Sequence, residues 1–378
     1  MAIYLLHSNH SVERRLKEVL QKEHQEVYIV RIESLQNHSG PLRIKPQSLF
    51  IISGEFNSSS VQLACQFCYQ HQLPLLAIVS KNSFQLESLP EPGFLLDIVT
   101  DPSDIEILLR VRLLLKYERE VTKRKSKEKE LENALSHITN DLSFAKKIQQ
   151  LVLPKNFSEY SINISAIYEP SELLSGDLYF WTKISSHEYG LILIDVSGHG
   201  VHAALVSMAM RSLFPGLLKR VKEPERIAKE LNEHMLRMFK KLGQEKYVTS
   251  YFTAFILYID TKNKSINYVN AGHQPGLLAI NGAVHKLEKG MVPIGLIPEP
   301  SIECETIPYE AITRLLLFTD GLTETPYSIK DNRTEDVKDL FIKYDNLAEN
   351  LILQKLLLER KKVAPINDDI CAIYITLK

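Results

Sequence analysis

The sequence predicts an α/β protein in three parts, residues 1–117, 118–153 and 154–378. Three observations predict it. Over the first 116 residues short apolar runs alternate with helical stretches, the pattern of a parallel sheet with helices on both faces. Residues 155–378 are dominated by strand-like runs interrupted by long helices. The stretch between them is highly charged and then carries a short heptad seam, the mark of a linker helix. A chain of 378 residues also exceeds one ordinary core, which agrees with several domains.

In the first part, Ile3–Leu6 is a strand. Val12–Glu23 has apolar residues at helical spacing, with Ser11 as N-cap and Glu13 and Arg14 in the first turn. Val27–Arg31 and Ser48–Ile52 are the next strands, separated by Glu33–Pro46, which reads mostly as loop. A helix, Val61–His71, leads to strands Leu75–Val79 and Leu95–Val99, and Asp101-Pro-Ser-Asp opens a helix over Ile105–Lys116. Cys65 and Cys68 form a C-x-x-C inside the Val61–His71 helix and read as two helix-face cysteines rather than a redox pair, given the preference of cysteine for burial.

This order resembles a response-regulator receiver domain, above all at Leu75–Ser80 and in the last strand and helix. Receivers carry an acidic pair after the first strand, a phospho-accepting Asp after the third, a Ser or Thr after the fourth and a Lys-Pro after the fifth. Here those places read His7-Ser8-Asn9-His10, Ser53-Gly54-Glu55, Ser80 and Asp101-Pro102. Only Ser80 fits. The resemblance therefore implies a receiver-like regulatory domain without the phospho-accepting Asp.

The middle part has seven Lys/Arg and four Asp/Glu between Lys116 and Glu130. Leu131, Leu135, Ile138, Leu142, Ala145, Gln149 and Val152 then recur at alternating spacings of four and three, a short heptad seam that reads as a coiled coil with a second copy more than as an amphipathic helix packed on its own domain. Pro154 ends it.

In the third part the strands are Ile162–Tyr168, Gly190–Ile194, Thr253–Ile259, Ser265–Asn270, Gly276–Ile280, Leu315–Phe318 and Ile370–Leu377. The helices are Val201–Leu218, Glu223–Leu242 and Asn346–Lys361.

Composition excludes several classes. With 45 Lys+Arg and 46 Asp+Glu the formal charge is −1, so nothing points to nucleic acid or a membrane surface. No apolar run approaches the roughly 20 residues that span a bilayer. The first residues, MAIYLLHSNHS, lack the basic region and cleavage site of a signal peptide. Four scattered cysteines make no disulfide framework, and the expected compartment is reducing cytoplasm.

Four acidic motifs succeed one another in the third part: Ser175-Gly-Asp, Asp195-Val-Ser-Gly-His-Gly, Thr319-Asp-Gly and Asn367-Asp-Asp. Three border an apolar strand run, at Leu191–Ile194, Leu315–Phe318 and Ile370–Ile375. A buried anion at a strand end is costly unless paired, and several converging on one point repel one another. Hard cations such as Mg²⁺ or Mn²⁺ relieve that repulsion through oxygen ligands. Asp177, Asp195, Asp320, Asp368 and Asp369 thus suggest a two-metal site suited to phosphate-ester chemistry, with the glycines after Asp195 letting main-chain oxygens face a metal. The helix start after Gly200 offers free N–H groups to an anion. His199 and His273 read as loop-stabilising residues more than as a general acid or a substrate contact.

The motif order, with Tyr268-Val-Asn-Ala-Gly-His-Gln-Pro and Thr319-Asp-Gly-Leu-Thr-Glu included, resembles the bacterial PPM (protein phosphatase 2C type) serine/threonine phosphatases of the SpoIIE/RsbU class. The resemblance covers Phe144 to Lys378 and includes Ala145-Lys-Lys-Ile-Gln-Gln-Leu-Val-Leu-Pro, similar to that family's regulatory linker. It implies an α/β/β/α sandwich of two antiparallel sheets, two Mn²⁺ or Mg²⁺ ions, and a phosphorylated STAS-domain anti-sigma-factor antagonist as substrate. It implies Asp195 as the metal-bridging carboxylate, Val196 as a carbonyl donor, Asp177 and Asp320 as further metal residues, and Asp368 as ligand with Asp369 as neighbour. Spacing does not separate the last two. Asp195 and Asp177 are the candidate catalytic residues. Ser175 stands where Gly is commoner and Cys371 where Thr is usual, and neither change removes a carboxylate.

The expectation is therefore a metal-dependent protein serine/threonine phosphatase controlled by its first domain, homodimeric through residues 1–150, with an upstream regulatory protein acting at residues 1–117. The alternatives are a phosphatase for an unrelated phosphoprotein or small phosphate ester, and a non-catalytic scaffold that binds a STAS-like partner.

Overall fold

A computed structural model of the chain describes residues 2–7, 12–21, 26–35, 44–45, 47–53, 58–79, 95–241, 250–280, 282–310, 312–323, 333–344, 347–363 and 365–378. Ser8–Ser11, Glu23, Pro46, Gly54, Glu55, Ser80, Leu242, Glu324 and Asn346, each part of a sequence expectation, lie outside the described residues. The chain falls into two compact units, Met1–His137 and Ile138–Lys378.

The first unit holds a five-stranded sheet in the order β2-β1-β3-β4-β5. Its strands are β1 (Ala2–His7), β2 (Glu26–Arg31), β3 (Ser48–Ser53), β4 (Leu75–Val79) and β5 (Leu96–Thr100), and every pairing is parallel. Ile3, Leu5, Leu49 and Ile51 point to one face, where Leu16 and Leu20 of α1 (Val12–Gln21) meet Ile107, Val111 and Leu114 of α3 (Asp104–Leu151). Tyr4, Leu6, Phe50 and Ile52 point to the other, against Val61, Ala64, Cys65 and Cys68 of α2 (Ser58–His71). Alternation along each strand supplies both faces at once. Cys65 and Cys68 are fully buried core residues, and burial raises both thiol pKa values, which keeps them protonated. Ile32–Leu35 forms a 3-10 turn inside the segment expected to be loop.

Helix α3 runs unbroken for 48 residues, so the last helix of the first part and the linker helix are one element. Its start follows from Ser103-Asp-Ile-Glu: the Ser103 hydroxyl accepts the Glu106 N–H at 3.2 Å, and Asp104 and Glu106 lie in the first turn. Charged residues of high helix propensity carry it across 118–130.

The second unit is a sandwich of two six-stranded sheets. One contains β8 (Leu178–Lys183), β9 (Glu188–Val196), β10 (Phe252–Asp260), β11 (Ser265–Ala271) and β14 (Gly290–Met291) in that spatial order, with β15 (Glu305–Pro308) also on β11. The other runs β13 (Ala283–Leu287), β12 (Gly276–Ile280), β16 (Thr313–Phe318), β17 (Ile370–Leu377), β7 (Ile162–Glu169) and β6 (Phe157–Glu159). Leu191, Leu193, Phe255 and Leu257 face Leu315, Leu317, Ile373 and Ile375 between the sheets. The alternate residues Ile192, Ile194, Ala254 and Ile256 lie under α4 (Gly200–Arg211), α5 (Phe214–Arg220) and α6 (Pro224–Lys241). Leu316, Phe318 and Tyr374 lie under α7 (Arg333–Lys343) and α8 (Glu349–Val363). Both faces of the central strands are covered, which is why they read as unbroken apolar runs; each such side chain contributes about 1.5–3 kcal/mol.

The layering is the expected α/β/β/α, with corrections. β11 and β14 pair in parallel, so the sheets are not wholly antiparallel. The helix expected over Val201–Leu218 is two helices, because Pro215 has no N–H to continue the ladder and begins α5. Residues Gly200–Arg220 reach a mean hydropathy of 1.4 over 18 residues, yet this break leaves helices of 12 and 7 residues, each short of a bilayer's width. Strands β6, β8, β13, β14 and β15 and helix α7 are additional to the expected elements.

Candidate metal centre

β9 ends in Asp195 and Val196, held in register against Thr253 and Phe252 of β10. The chain then turns through Gly198 (φ +85°) and Gly200 (φ +79°), a backbone that L side chains rarely adopt, and enters α4. The Ser197 N–H donates to the Tyr251 carbonyl at 3.0 Å, and the Tyr251 N–H to the Ser197 hydroxyl at 3.2 Å.

The segment before β8 crosses this strand end. A side chain at Gly176 would stand 3.0 Å from the Val196 carbonyl and 3.1 Å from Ala203, so glycine lets the two segments approach without either giving way. Gly176 N–H donates to Asp369 Oδ2 at 2.9 Å, while Ser171 N–H and hydroxyl donate to Asp369 Oδ1 at 2.8 and 2.9 Å. Asp369 thereby ties the 171–177 segment to the start of β17. Its own N–H donates to Asp368 Oδ1 at 2.8 Å.

Thr319 joins β16 to the same place. Its N–H donates to the Cys371 carbonyl and its hydroxyl accepts the Cys371 N–H, both at 2.9 Å. Asp320 opens a 3-10 turn, Asp320–Leu322, in which a side chain at Gly321 would collide with the Asp369 carbonyl. The buried Arg360 of α8 donates to the Gly321 carbonyl at 2.9 Å.

Asp177 is 2% exposed and its Oδ2 has no hydrogen-bond partner. Burial drives its pKa well above the carboxylate range, the Asp195 charge adds to this, the Thr319 hydroxyl opposes it, and Asp369 and Asp320 add further repulsion. Four of the five expected aspartates are thus close enough to repel across one point. Asp368 is half-buried, with its pKa raised chiefly by burial and His199 acting weakly the other way. Among the described residues no three His, Cys, Asp or Glu side chains stand close enough to hold a metal as placed. A buried orphan oxygen in an all-oxygen donor set fits a hard divalent cation.

His199 Nδ1 lies 2.9 Å from Glu172 Oε1, an exposed contact that bridges the turn to the 171–177 segment. His273 is buried; its Nδ1 lies 2.7 Å from the Thr253 hydroxyl and its N–H donates to Asn270 Oδ1 at 2.7 Å. Burial pushes its pKa down to about 4, so the ring is neutral at pH 7. Sequence reasoning missed Ser171, Thr319 as a hydroxyl donor, and Arg360. Only Thr319, inside a motif, had a visible signal.

Residues 185–378, just over half of the chain, match the family model described as Stage II sporulation protein E (SpoIIE). The chain is similar to phosphoserine phosphatase RsbP of Bacillus subtilis, 32% identical over 245 residues, 63% of this chain and 58% of RsbP. It is also similar to phosphoserine phosphatase RsbU of the same organism, 26% identical over 263 residues, 68% of this chain and 72% of RsbU. The match thus spans less than two thirds of RsbP's length. Among solved structures, the SiaA-PP2C domain of Pseudomonas aeruginosa superposes with a TM-score of 0.54 at 18% identity, over 65% of this chain and 99% of that one. The PP2C phosphatase domain of SpoIIE from Bacillus subtilis, with a fragment of its regulatory domain, gives 0.50 at 21%, over 58% and 64%. These likenesses show a PP2C-type fold. With that fold, and with the family match spanning the second to fourth acidic motifs, the chain belongs to the SpoIIE family.

Proposed function

We infer that the chain is a metal-dependent protein phosphatase that removes phosphate from a phosphoserine or phosphothreonine of a partner protein. The observation that carries this is Asp177, a buried carboxylate with an orphan oxygen, repelled by Asp195, Asp320 and Asp369. That is the electrostatic signature of a site built around cations. The names of RsbP and RsbU support the serine specificity.

In this reading Asp195, the Val196 carbonyl, Asp177, Asp320 and Asp368 would hold the ions, and Asp369 would hold the loop. The satisfied hydrogen bonds of Asp369 favour that division of labour over Asp369 as ligand. Bound there, Mn²⁺ or Mg²⁺ would lower the pKa of a water and neutralise charge on the phosphoryl oxygens. The N–H groups at the start of α4 would orient the phosphate.

The substrate class we propose is a phosphorylated STAS-domain protein in a partner-switching pathway, in the cytoplasm. Residues 1–117 act as a receiver-like regulator, receiving an upstream protein in place of a phosphoryl group, and residues 118–153 link the regulator to the phosphatase at 154–378. The sheet order β2-β1-β3-β4-β5 supports the receiver-like part, being the flavodoxin-like order of doubly wound domains. The chain pairs as a homodimer through α3, whose Leu131, Leu135 and Ile138 are exposed.

A second reading is a non-catalytic scaffold for the same partner, and the intact set of Asp177, Asp195, Asp320, Asp368 and Asp369 argues against it. Release of phosphate from p-nitrophenyl phosphate and from phospho-STAS proteins, with and without Mn²⁺, separates the two. Mn²⁺-dependent turnover is expected. Tight binding of the partner with no turnover at any metal concentration would leave the scaffold.

A further inference from the structure

Residues 272–275 pass from β11, in the sheet that carries Asp195, to β12, in the sheet whose β16 leads into Asp320. They cross at the end where the acidic motifs lie. Gly272, at φ +65°, leaves β11 in a bridge with Ala254, next to Thr253, and Thr253 stands opposite Asp195 in the register of β9 and β10. Asn270, 4% exposed, holds the crossing. Its Oδ1 accepts the His273 N–H at 2.7 Å. Its Nδ2 donates to the His273 carbonyl at 3.1 Å and to the Leu287 carbonyl of β13, in the other sheet, at 3.3 Å.

The backbone so fixed places the His273 ring, which is 8% exposed. Nδ1 lies 2.7 Å from the Thr253 hydroxyl of β10. Nε2 is buried and closes no hydrogen bond. A buried ring nitrogen left open is costly, so an acceptor or donor close by matters. The Phe318 main chain, at the end of β16, acts on this ring as a hydrogen-bonding group and favours a proton there. The neutral ring carries one proton. With the Thr253 hydroxyl donating to Nδ1, that proton sits on Nε2 and the Phe318 carbonyl accepts it. Each contact is next to an aspartate of the candidate centre: Thr253 is paired with Asp195, and Phe318 is followed by Thr319 and Asp320.

We propose that His273 is a positioning residue that clasps the two sheets at their metal end, Nδ1 on the Thr253 hydroxyl and Nε2–H on the Phe318 carbonyl, and so fixes the separation of Asp195 from Asp320. This rests on the phosphatase reading and adds to it a residue outside the four acidic motifs. Two ions about 3.5–4 Å apart need carboxylates from different sheets to keep a set spacing. Stacked sheets lie about 10 Å apart, and the apolar contacts between them are non-directional, so they do not fix that spacing closely. A rigid ring with a polar contact on each side does.

The test uses the full chain. Nitrogen-15 labelling of histidine reads the tautomer by NMR, the His273 signals being those lost in His273→Phe. A proton on Nε2 and none on Nδ1 is expected; the opposite tautomer would overturn the proposal. His273→Phe keeps a planar ring and removes both polar contacts. Mn²⁺ affinity is read by the electron paramagnetic resonance signal of free Mn²⁺, and kcat and KM are measured on p-nitrophenyl phosphate. In His273→Phe, Mn²⁺ affinity is expected to weaken about tenfold and kcat to fall about 10- to 100-fold, with KM within about twofold of wild type. The exchange coupling between bound Mn²⁺ ions, which depends on their spacing, is expected to weaken as well. Thr253→Val, which keeps the shape of the side chain, should give a smaller loss of the same kind. The double variant should be no worse than His273→Phe, since both changes open one clasp. Losses that simply add in the double variant would contradict the proposal. So would unchanged Mn²⁺ affinity and kcat in a folded His273→Phe or, where that variant does not fold, in Thr253→Val. Each of these leaves the phosphatase reading intact, whereas a wild-type chain that neither binds Mn²⁺ nor hydrolyses the ester removes both.

Discussion

Asp195 and Asp177 sit at strand ends for opposite electrostatic reasons. Asp195 terminates β9 where the chain must turn, and Asp177 is buried among charges of its own sign. If Asp195 bridges the ions, Asp195→Ala at saturating Mn²⁺ should show turnover no higher than the metal-free background, with unchanged far-ultraviolet circular dichroism; activity within a few-fold of wild type removes the metal assignment. Asp177 makes a prediction about stability. Its folded-state pKa lies above the ordinary 3.8, so the folded state holds the proton more tightly than the unfolded one. That contribution is fully present below about pH 3.8 and is lost as pH rises toward the folded pKa. At pH 7 without metal, Asp177→Asn should therefore raise Tm, by about 2–4 °C for each kcal/mol of repulsion relieved, while abolishing the rise in Tm that Mn²⁺ gives wild type. A metal-free variant that melts below wild type at pH 7 would contradict the repulsion.

At the scale of elements, α3 is the most consequential. Its 48 residues pack on the first sheet through Ile107, Val111 and Leu114, continue through an exposed stretch, and bring Gln149 in the last turn beside Ser175. Leu135 is 55% exposed and Leu142 half-buried, so the seam lies open in a single chain. Pairing of this seam with a second copy would bury it and set the rotation of the helix end. Leu135→Ser with Leu142→Ser is expected to lower the mass seen by light scattering from dimer to monomer. Turnover should change by several-fold while Mn²⁺ affinity stays the same. An unchanged mass with unchanged turnover would make the helix a passive tether.

At the scale of the molecule, two units of different chemistry share one chain. The first has the sheet order of a doubly wound regulator but Ser53 at the end of β3 and Asp101, at φ +47°, after β5. With no carboxylate where a receiver carries its acceptor, acetyl phosphate or a beryllium fluoride mimic should leave residues 1–117 unmodified. Intact-mass spectrometry with peptide mapping checks this, and a phosphoryl group found on this unit would refute it. If the first unit regulates the second through protein contact, the second unit's turnover should not respond to acetyl phosphate.

Much of the fold was legible in the linear order of residues. Apolar runs such as Leu191–Ile194, Leu315–Phe318 and Ile370–Ile375 named the central strands, because a strand covered on both faces leaves no polar position to hide it. The aspartates at their ends named the candidate site, because carboxylates at buried strand ends need a reason. Short edge strands such as β13, β14 and β15 were not legible, since their half-exposed residues carry no strong pattern. Only the tertiary structure decided which residues serve the aspartates. Asp368 and Asp369 are equivalent in sequence, and the hydrogen bonds from Ser171 and Gly176, nearly 200 residues away, distinguish them. Gln149 looked like one more seam position of a heptad, and its burial against the Ser175 main chain gives it a different part. Periodicity reports which face of an element turns inward; which partner waits there depends on contacts between segments far apart in the chain, and those exist only once the sheets have stacked.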